Sequence, residues 1–301
     1  RDFYTHSMPP PSSGGITLAN ILNQLENLNF DNIGYHSSEH IHYLVEAEKR
    51  AYADRAIYLG DPDYVDIDTE FLTSKEYGLN RFNSIRNDQS TPSNTIYNAS
   101  DLYKNEHEET THYSIADTHG NAISVTTTLN GWYGNGIVVD GAGFLLNNEM
   151  DDFSIKPGHA NAYGLVGNEA NSIAPNKRML SSMTPTIIED INHDFYLSLG
   201  SPGGSTIITT VAQIINNIID YDMDLDMAVE SKRFHHQCLP DKIQLEMYSL
   251  STDVINKLSN MGHEHIYRGK IGIGEANCIM KKDSLYYGSA DSRRNATSLA
   301  Y

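Results

Sequence analysis

Two cysteines in 301 residues, Cys238 and Cys278, exclude a disulfide framework, and neither belongs to a Cys-x-x-Cys pair. Basic residues are scarce. There are 21 Lys and Arg against 39 Asp and Glu, which leaves a formal charge of −18 at pH 7. Phosphate backbones are bound by stripes of Lys and Arg, and none is present, so a nucleic-acid partner is not expected. No run of 18 or more apolar residues occurs, which excludes a helical membrane span in these residues. No repeat of 20–50 residues is visible either. What is there is a 39% hydrophobic chain, long enough to bury a core in one large domain or two ordinary ones. It opens on Arg1-Asp2-Phe3-Tyr4, which reads like the inside of a domain, as in a fragment or processed product with any targeting peptide upstream.

Pro9-Pro10-Pro11-Ser12-Ser13-Gly14-Gly15 is a stiff turn ending in two conformationally free residues. Apolar residues at three- and four-residue steps predict a helix over 16–28 and another after Gly203-Gly204. A second long helix is expected from about Ser37 to Leu59, where Glu46-Ala47-Glu48-Lys49-Arg50 spaces opposite charges as on a solvated face. Residues 83–109 are polar and aperiodic, and read as a long exposed connection that is easily nicked. Period-two runs at 111–117 and 122–129, joined by Thr118-His119-Gly120-Asn121, predict a hairpin. Further strands are expected at 143–146, 186–189, 195–199, 278–281 and 285–288, with helices at 226–232 and 252–261. Helices around a run of strands imply a layered α+β fold.

Chemistry concentrates where the polar stretch meets the first predicted strand, at Glu109-Thr110-Thr111-His112-Tyr113-Ser114. A threonine hydroxyl is a poor nucleophile without an adjacent base. Scission before Thr110 would place an α-amine, with a pKa of about 8, beside that hydroxyl. The amine could then take the hydroxyl proton without a histidine. Other patterns are weak. His40-Ile41-His42 puts two imidazoles on different helix faces, His36 and His40 lack a surrounding HExxH, and His235-His236 reads as structural. Asp61-Pro62-Asp63-Tyr64-Val65-Asp66 lacks the glycine and closing Glu of a calcium loop. No metal and no cofactor are expected.

Around Thr110 the chain resembles the γ-glutamyltransferases (γ-glutamyltranspeptidases) of bacterial type, in the N-terminal-nucleophile hydrolase superfamily. The resemblance runs through Met8–Gly15, Ala51-Tyr52-Ala53-Asp54-Arg55, Thr110–Ser114 and Leu146-Asn147-Asn148-Glu149-Met150-Asp151-Asp152-Phe153. It continues through Pro175-Asn176-Lys177-Arg178, Ser181-Ser182-Met183, Gly200-Ser201-Pro202-Gly203-Gly204 and Arg233-Phe234-His235-His236-Gln237. It implies an αββα four-layer sandwich and self-cleavage between Glu109 and Thr110. Residues 1–109 would be the C-terminal part of the large subunit and 110–301 the small catalytic subunit, together one domain and a tight heterodimer. The implied activity cleaves γ-glutamyl amides such as glutathione or glutamine through a γ-glutamyl-threonine intermediate. Transfer would be to water, amino acids or peptides, in the periplasm or outside the cell.

Each implied role has a physical counterpart. Thr110 would be the nucleophile, with Thr128 holding its hydroxyl. Gly203 and Gly204 would offer N–H groups to the oxyanion, because a backbone without Cβ approaches closely. Asn130, Glu149 and Asp152 would accept from the substrate's ammonium, and Ser181 and Ser182 would donate to its α-carboxylate. Glu149 is one of the two residue types the family uses there. Asp151 reads as solvated. Tyr163, within Pro157-Gly158-His159-Ala160-Asn161-Ala162-Tyr163-Gly164, resembles a lid that closes over the glutamyl pocket.

The pattern departs from the family in three places. The first half of the large chain is absent, with its carboxylate-binding arginine, and Arg50, Arg55, Arg81 and Arg86 do not match that position. Cys238 stands for a frequent Trp, and Ser292 for the Pro of an Asp-Pro-Arg tail. Two alternatives stay open: an amidase for polyglutamate or glutaryl amides, and a noncatalytic fragment acting as a binding partner.

Overall fold

The computed structural model describes residues 1–97, 110–268 and 272–301. The strands are β1 (Phe3–Ser7), β2 (Thr110–Ala116), β3 (Ala122–Thr128), β4 (Thr186–Asp190), β5 (Phe195–Leu199), β6 (Phe234–His235), β7 (Ile243–Glu246), β8 (His265–Arg268), β9 (Asn277–Lys282) and β10 (Leu285–Ala290). The helices are α1 (Gly14–Leu25), α2 (Ser38–Tyr58), α3 (Thr69–Leu72), α4 (Lys75–Asn83), α5 (Ser93–Ile96), α6 (Ile207–Ile219), α7 (Leu225–Glu230) and α8 (Thr252–Asn260). An antiparallel sheet in the order β1-β4-β5-β9-β10 forms the middle layer. The apolar residues of α1, α2 and α6 share one core with Ile188, Leu197, Leu199 and Met280 of that sheet. The β2–β3 hairpin packs on β4, β5 and β9. A small sheet, β6-β7-β8, completes the description.

The hairpin is inside out by the usual rule. Its sheet-facing residues are polar: Ser198 Oγ donates to Ser114 Oγ at 2.9 Å, Ser114 Oγ to Asn277 O at 3.1 Å, and Ser124 Oγ to Leu199 O at 3.0 Å. His112 Nδ1 meets Thr126 Oγ1 at 2.9 Å. Alternation sends Tyr113, Ile115 and Ile123 to the opposite face, where they are exposed. Helices, the main sheet and the hairpin are thus three successive layers of the expected sandwich among the described residues.

Three expectations need correcting. The charged face of α2 is not solvated: Glu46, Glu48, Lys49, Arg50, Asp54 and Arg55 are all buried. Glu46 takes Arg50 at 2.7 Å and Lys49 at 3.3 Å, while Lys49 also meets Asp241 at 3.0 Å. Spacing that suits a surface ladder serves here as an internal ion network, because neighbours pack on every side of α2. Residues 84–97 are mostly exposed, as expected, but the stretch is tied down rather than loose: Ile85, Ser90 and Ser93 are buried, and Ser93 N donates to Asp241 at 2.8 Å. The rest of that stretch lies outside the described residues. No strand forms at 143–146. A single bridge, Val138 to Leu145, is all that pairs there, since glycines at 141 and 143 take positive φ.

The α2 network makes a direct prediction. Glu46→Ala strands Lys49 and Arg50 without their shared counter-ion, and in the full-length protein it should cost about 3–5 kcal/mol in urea denaturation.

Candidate functional site

Thr110 opens β2 and stands opposite Thr128, the last residue of β3, as its register partner. Just past that strand end, Asn130 takes a left-handed φ of 72°, stabilised by its N–H donating to Thr128 Oγ1 at 2.8 Å. Asn130 is buried, and Tyr163 Oη donates to its side-chain oxygen. The Tyr163 ring lies against Gly204, where a Cβ would come within 2.6 Å of it. Gly203 and Gly204 have φ of 135° and 53°, and lead through a 3-10 turn into α6. A glycine turn ahead of a helix is a place that suits an anion. A chain of contacts therefore runs from Thr110 through Thr128, Asn130 and Tyr163 to Gly204. Glu109 lies outside the described residues.

Behind Thr110, His112 is wedged between hairpin and sheet. A Cβ at Gly200 would fall 2.3 Å from its ring. Burial lowers its pKa to about 4, which keeps the imidazole uncharged near pH 7.

Glu149 and Asp152 lie in a 3-10 turn, Glu149–Asp152, docked on the end of β3. Asn148 N donates to Leu129 O at 3.1 Å, and Asn130 Nδ2 to Asn148 O at 3.1 Å. Burial raises both carboxyls. Asp152 reaches about 7, with Arg55 opposing the rise and Glu149 and Asp151 adding to it. A cavity of about 310 Å³ is lined by Arg55, Asp151, Asp152, Asn161 and Ala162, among others. Thr110, Gly203 and Gly204 are not in its lining.

Ser181 and Ser182 are held by the Pro9–Gly15 turn, where Ser181 N donates to Pro11 O at 3.0 Å and Ser13 N to Ser181 O at 2.8 Å. Arg55 Nη2 donates to Ser182 Oγ at 3.1 Å, and Met183 N to Ser181 Oγ at 3.1 Å. Each oxygen already accepts a hydrogen bond from a fixed donor, which leaves its own O–H to donate to an acceptor such as a carboxylate. Arg55 also donates to Ser13 Oγ at 2.9 Å and acts electrostatically on Asp152. The structure thus brings Arg55 into the site although its position in the sequence matches no expected ligand. Its signal was the Ala-Asp-Arg end of α2, one turn past the buried network.

The ligating atoms of His42, Glu46 and His263 lie within 4.8 Å of one another. They do not suit a cation: Glu46 is already shared by Lys49 and Arg50, and the two imidazoles bond each other at 2.8 Å. His235 and His236 are buried, and burial lowers their pKa values to about 3 and 4, as fits a structural role. Of the departures, Cys238 is buried at a φ of 69°, and Ser292 Oγ caps Glu230 at 2.6 Å.

The profile of the gamma-glutamyltranspeptidase family matches residues 1–301. This chain belongs to that family. The glutathione hydrolase proenzyme of Escherichia coli K12 is 45% identical over 293 residues, covering 97% of this chain and 50% of the relative. The Acylase ACY 1 proenzyme of Pseudomonas sp. SE83 is 32% identical, covering 97% of this chain and 49% of the relative. The chain therefore spans about half the length of the curated relatives it matches. Among solved structures, gamma-glutamyltranspeptidase from Pseudomonas nitroreducens complexed with L-DON aligns with a TM-score of 0.60 and 46% identity. That alignment covers 64% of this chain and 99% of the other. Cephalosporin acylase from Bacillus halodurans, at 22% identity, aligns over 100% of this chain and 52% of its own with a TM-score of 0.82, a likeness of fold. The fold is that of the N-terminal-nucleophile hydrolases.

The contact of Tyr163 with Gly204 can be tested directly. Gly204→Ala puts a Cβ into the Tyr163 ring at a positive φ. It should cost about 1–2 kcal/mol by urea midpoint and speed hydrogen exchange at 159–164.

Proposed function

We propose that the protein to which this chain belongs is a γ-glutamyltransferase/hydrolase that uses Thr110 as its nucleophile after scission at Glu109–Thr110. The observation that carries the reading is the register pairing of Thr110 with Thr128 at the open end of the hairpin, ringed by Asn130, Tyr163 and the Gly203-Gly204 turn. The Thr110 hydroxyl attacks the γ-carbonyl of the donor as the α-amine takes its proton. The Oγ–C bond forms, the amide C–N bond breaks, and the proton passes to the leaving amine. Water or an acceptor amine then attacks the γ-glutamyl ester and restores Thr110. Gly203 and Gly204 N–H groups hold the oxyanion, where preorganised donors act most strongly. Glu149, Asp152 and Asn130 receive the donor's ammonium, and Ser181 and Ser182 its α-carboxylate. The large and small subunits act as one heterodimer, exported to the periplasm or beyond.

The test uses the full-length protein. Its small subunit should begin at Thr110 by N-terminal sequencing, and it should release p-nitroaniline from γ-glutamyl-p-nitroanilide, faster with a dipeptide acceptor. Thr110→Ala should leave the precursor uncut and lower turnover by about 10³-fold or more. Retained activity would sink the assignment, and preference for a glutaryl amide would favour an acylase.

A pH profile tests the ammonium site. A carboxyl raised to about 7 must be ionised to receive a cation, so donor affinity should weaken as pH falls below that point. The limiting rise in KM is about tenfold per pH unit. Asp152→Asn should raise KM and remove this inflection.

A further inference from the structure

We propose that Asp151 is a positioning residue that latches the lid turn 159–164 closed, and so sets which γ-glutamyl donors reach Thr110. The identity of the donors rests on the function proposed above, whereas the latch rests on geometry alone. Asp151 Oδ2 accepts the N–H of Ala162 at 2.9 Å, one residue before the lid tyrosine. The solvated role expected from sequence is therefore replaced by a tertiary contact.

The turn behaves as one piece. Asn161 Oδ1 accepts from the N–H groups of Tyr163 and Leu165, both at 3.0 Å. Asn161 N donates to Leu165 O at 2.9 Å, and Gly164 N to Asn161 O at 3.0 Å. Gly158 and Gly164 sit at positive φ on either side, and the buried Leu165 and Val166 anchor the far end in the core. A unit this stiff is held or released through its outer attachments. These include Tyr163 Oη on Asn130, Gln237 Nε2 on Tyr163 O at 3.2 Å, and Asp151. Of these three, only the Asp151 bond has a carboxylate acceptor, and charge-assisted hydrogen bonds are roughly twice as strong as neutral ones.

The position of the latch also ties it to the pocket. Asp151 shares its 3-10 turn with Glu149 and Asp152, and Asn171 Nδ2 holds that turn through Asp152 O at 2.7 Å. The element that receives the ammonium therefore also holds the lid. The cavity beside it is bounded by Asp151 and Ala162 alike, which gives the turn space to move when the bond is lost.

The experiment compares parent, Asp151→Ala and Asp151→Asn forms of the full-length processed enzyme. Hydrogen exchange is followed by mass spectrometry on peptides spanning 157–166, alongside kcat/KM for γ-glutamyl-p-nitroanilide and for a bulky γ-glutamyl peptide amide. Asp151→Ala should speed exchange in that segment by about tenfold or more. It should also raise the bulky-to-small kcat/KM ratio. Asp151→Asn, which keeps an acceptor oxygen but loses the charge, should fall between the parent and Asp151→Ala in both. Unchanged exchange at 157–166, faster exchange spread evenly over the chain, an unchanged substrate ratio, or an Asn variant equal to Ala would each overturn the latch. If the parent turned over no γ-glutamyl amide, the proposed function would fall, yet the exchange data would still decide the latch.

Discussion

The polar seam between hairpin and sheet is the constraint on which the rest depends. Ser114, Ser124 and His112 bond strands β5 and β9 and the segments that flank them, so the hairpin docks in one register. A slip by one residue would turn these hydroxyls outward and bring Tyr113 and Ile115 inward. It would also separate Thr110 from Thr128. Because β5 runs on into Gly200–Gly204, the contact of His112 with Gly200 ties the strand that Thr110 opens to the Gly203-Gly204 turn. Hydrophobic packing is non-directional and would hold such a hairpin less specifically, whereas hydrogen bonds have fixed directions.

A second theme is the placement of charge. The chain is strongly acidic, yet its basic side chains on α2 are internal, each paired or hydrogen-bonded. Arg55 is the end of that series, and it meets the site from behind by fixing Ser13 and Ser182 and opposing the rise of Asp152. The acidic run Glu149–Asp152 does the converse. Three carboxylates crowd one turn, which burial and mutual repulsion disfavour, and the arrangement suits a cation that arrives with the substrate.

Much was legible in the sequence. Period-two alternation located β2 and β3 within a residue, and 3.6-residue spacing located α1, α2 and α6. The ordered motifs identified the family and nominated Thr110, Gly203, Gly204, Ser181 and Ser182. The misreadings have two causes. Solvation is a property of the surroundings, which local patterns do not contain: the Glu46–Arg50 ladder looked exposed and is buried. The strand expected at 143–146 failed for a local reason, because its flanking glycines curl the chain before a partner can pair.

The sequence by itself determined the element types and the family, since both follow from short-range spacing and from residue types in a fixed order. It also determined which hydroxyl could gain a base from its own backbone. Only the tertiary structure decided which face of the hairpin is inside, that Arg55 reaches Ser182, and that Asp151 accepts the N–H of Ala162. Those outcomes depend on residues from eleven to more than a hundred positions apart meeting in space, where burial and hydrogen-bond geometry, and not periodicity, select the partner.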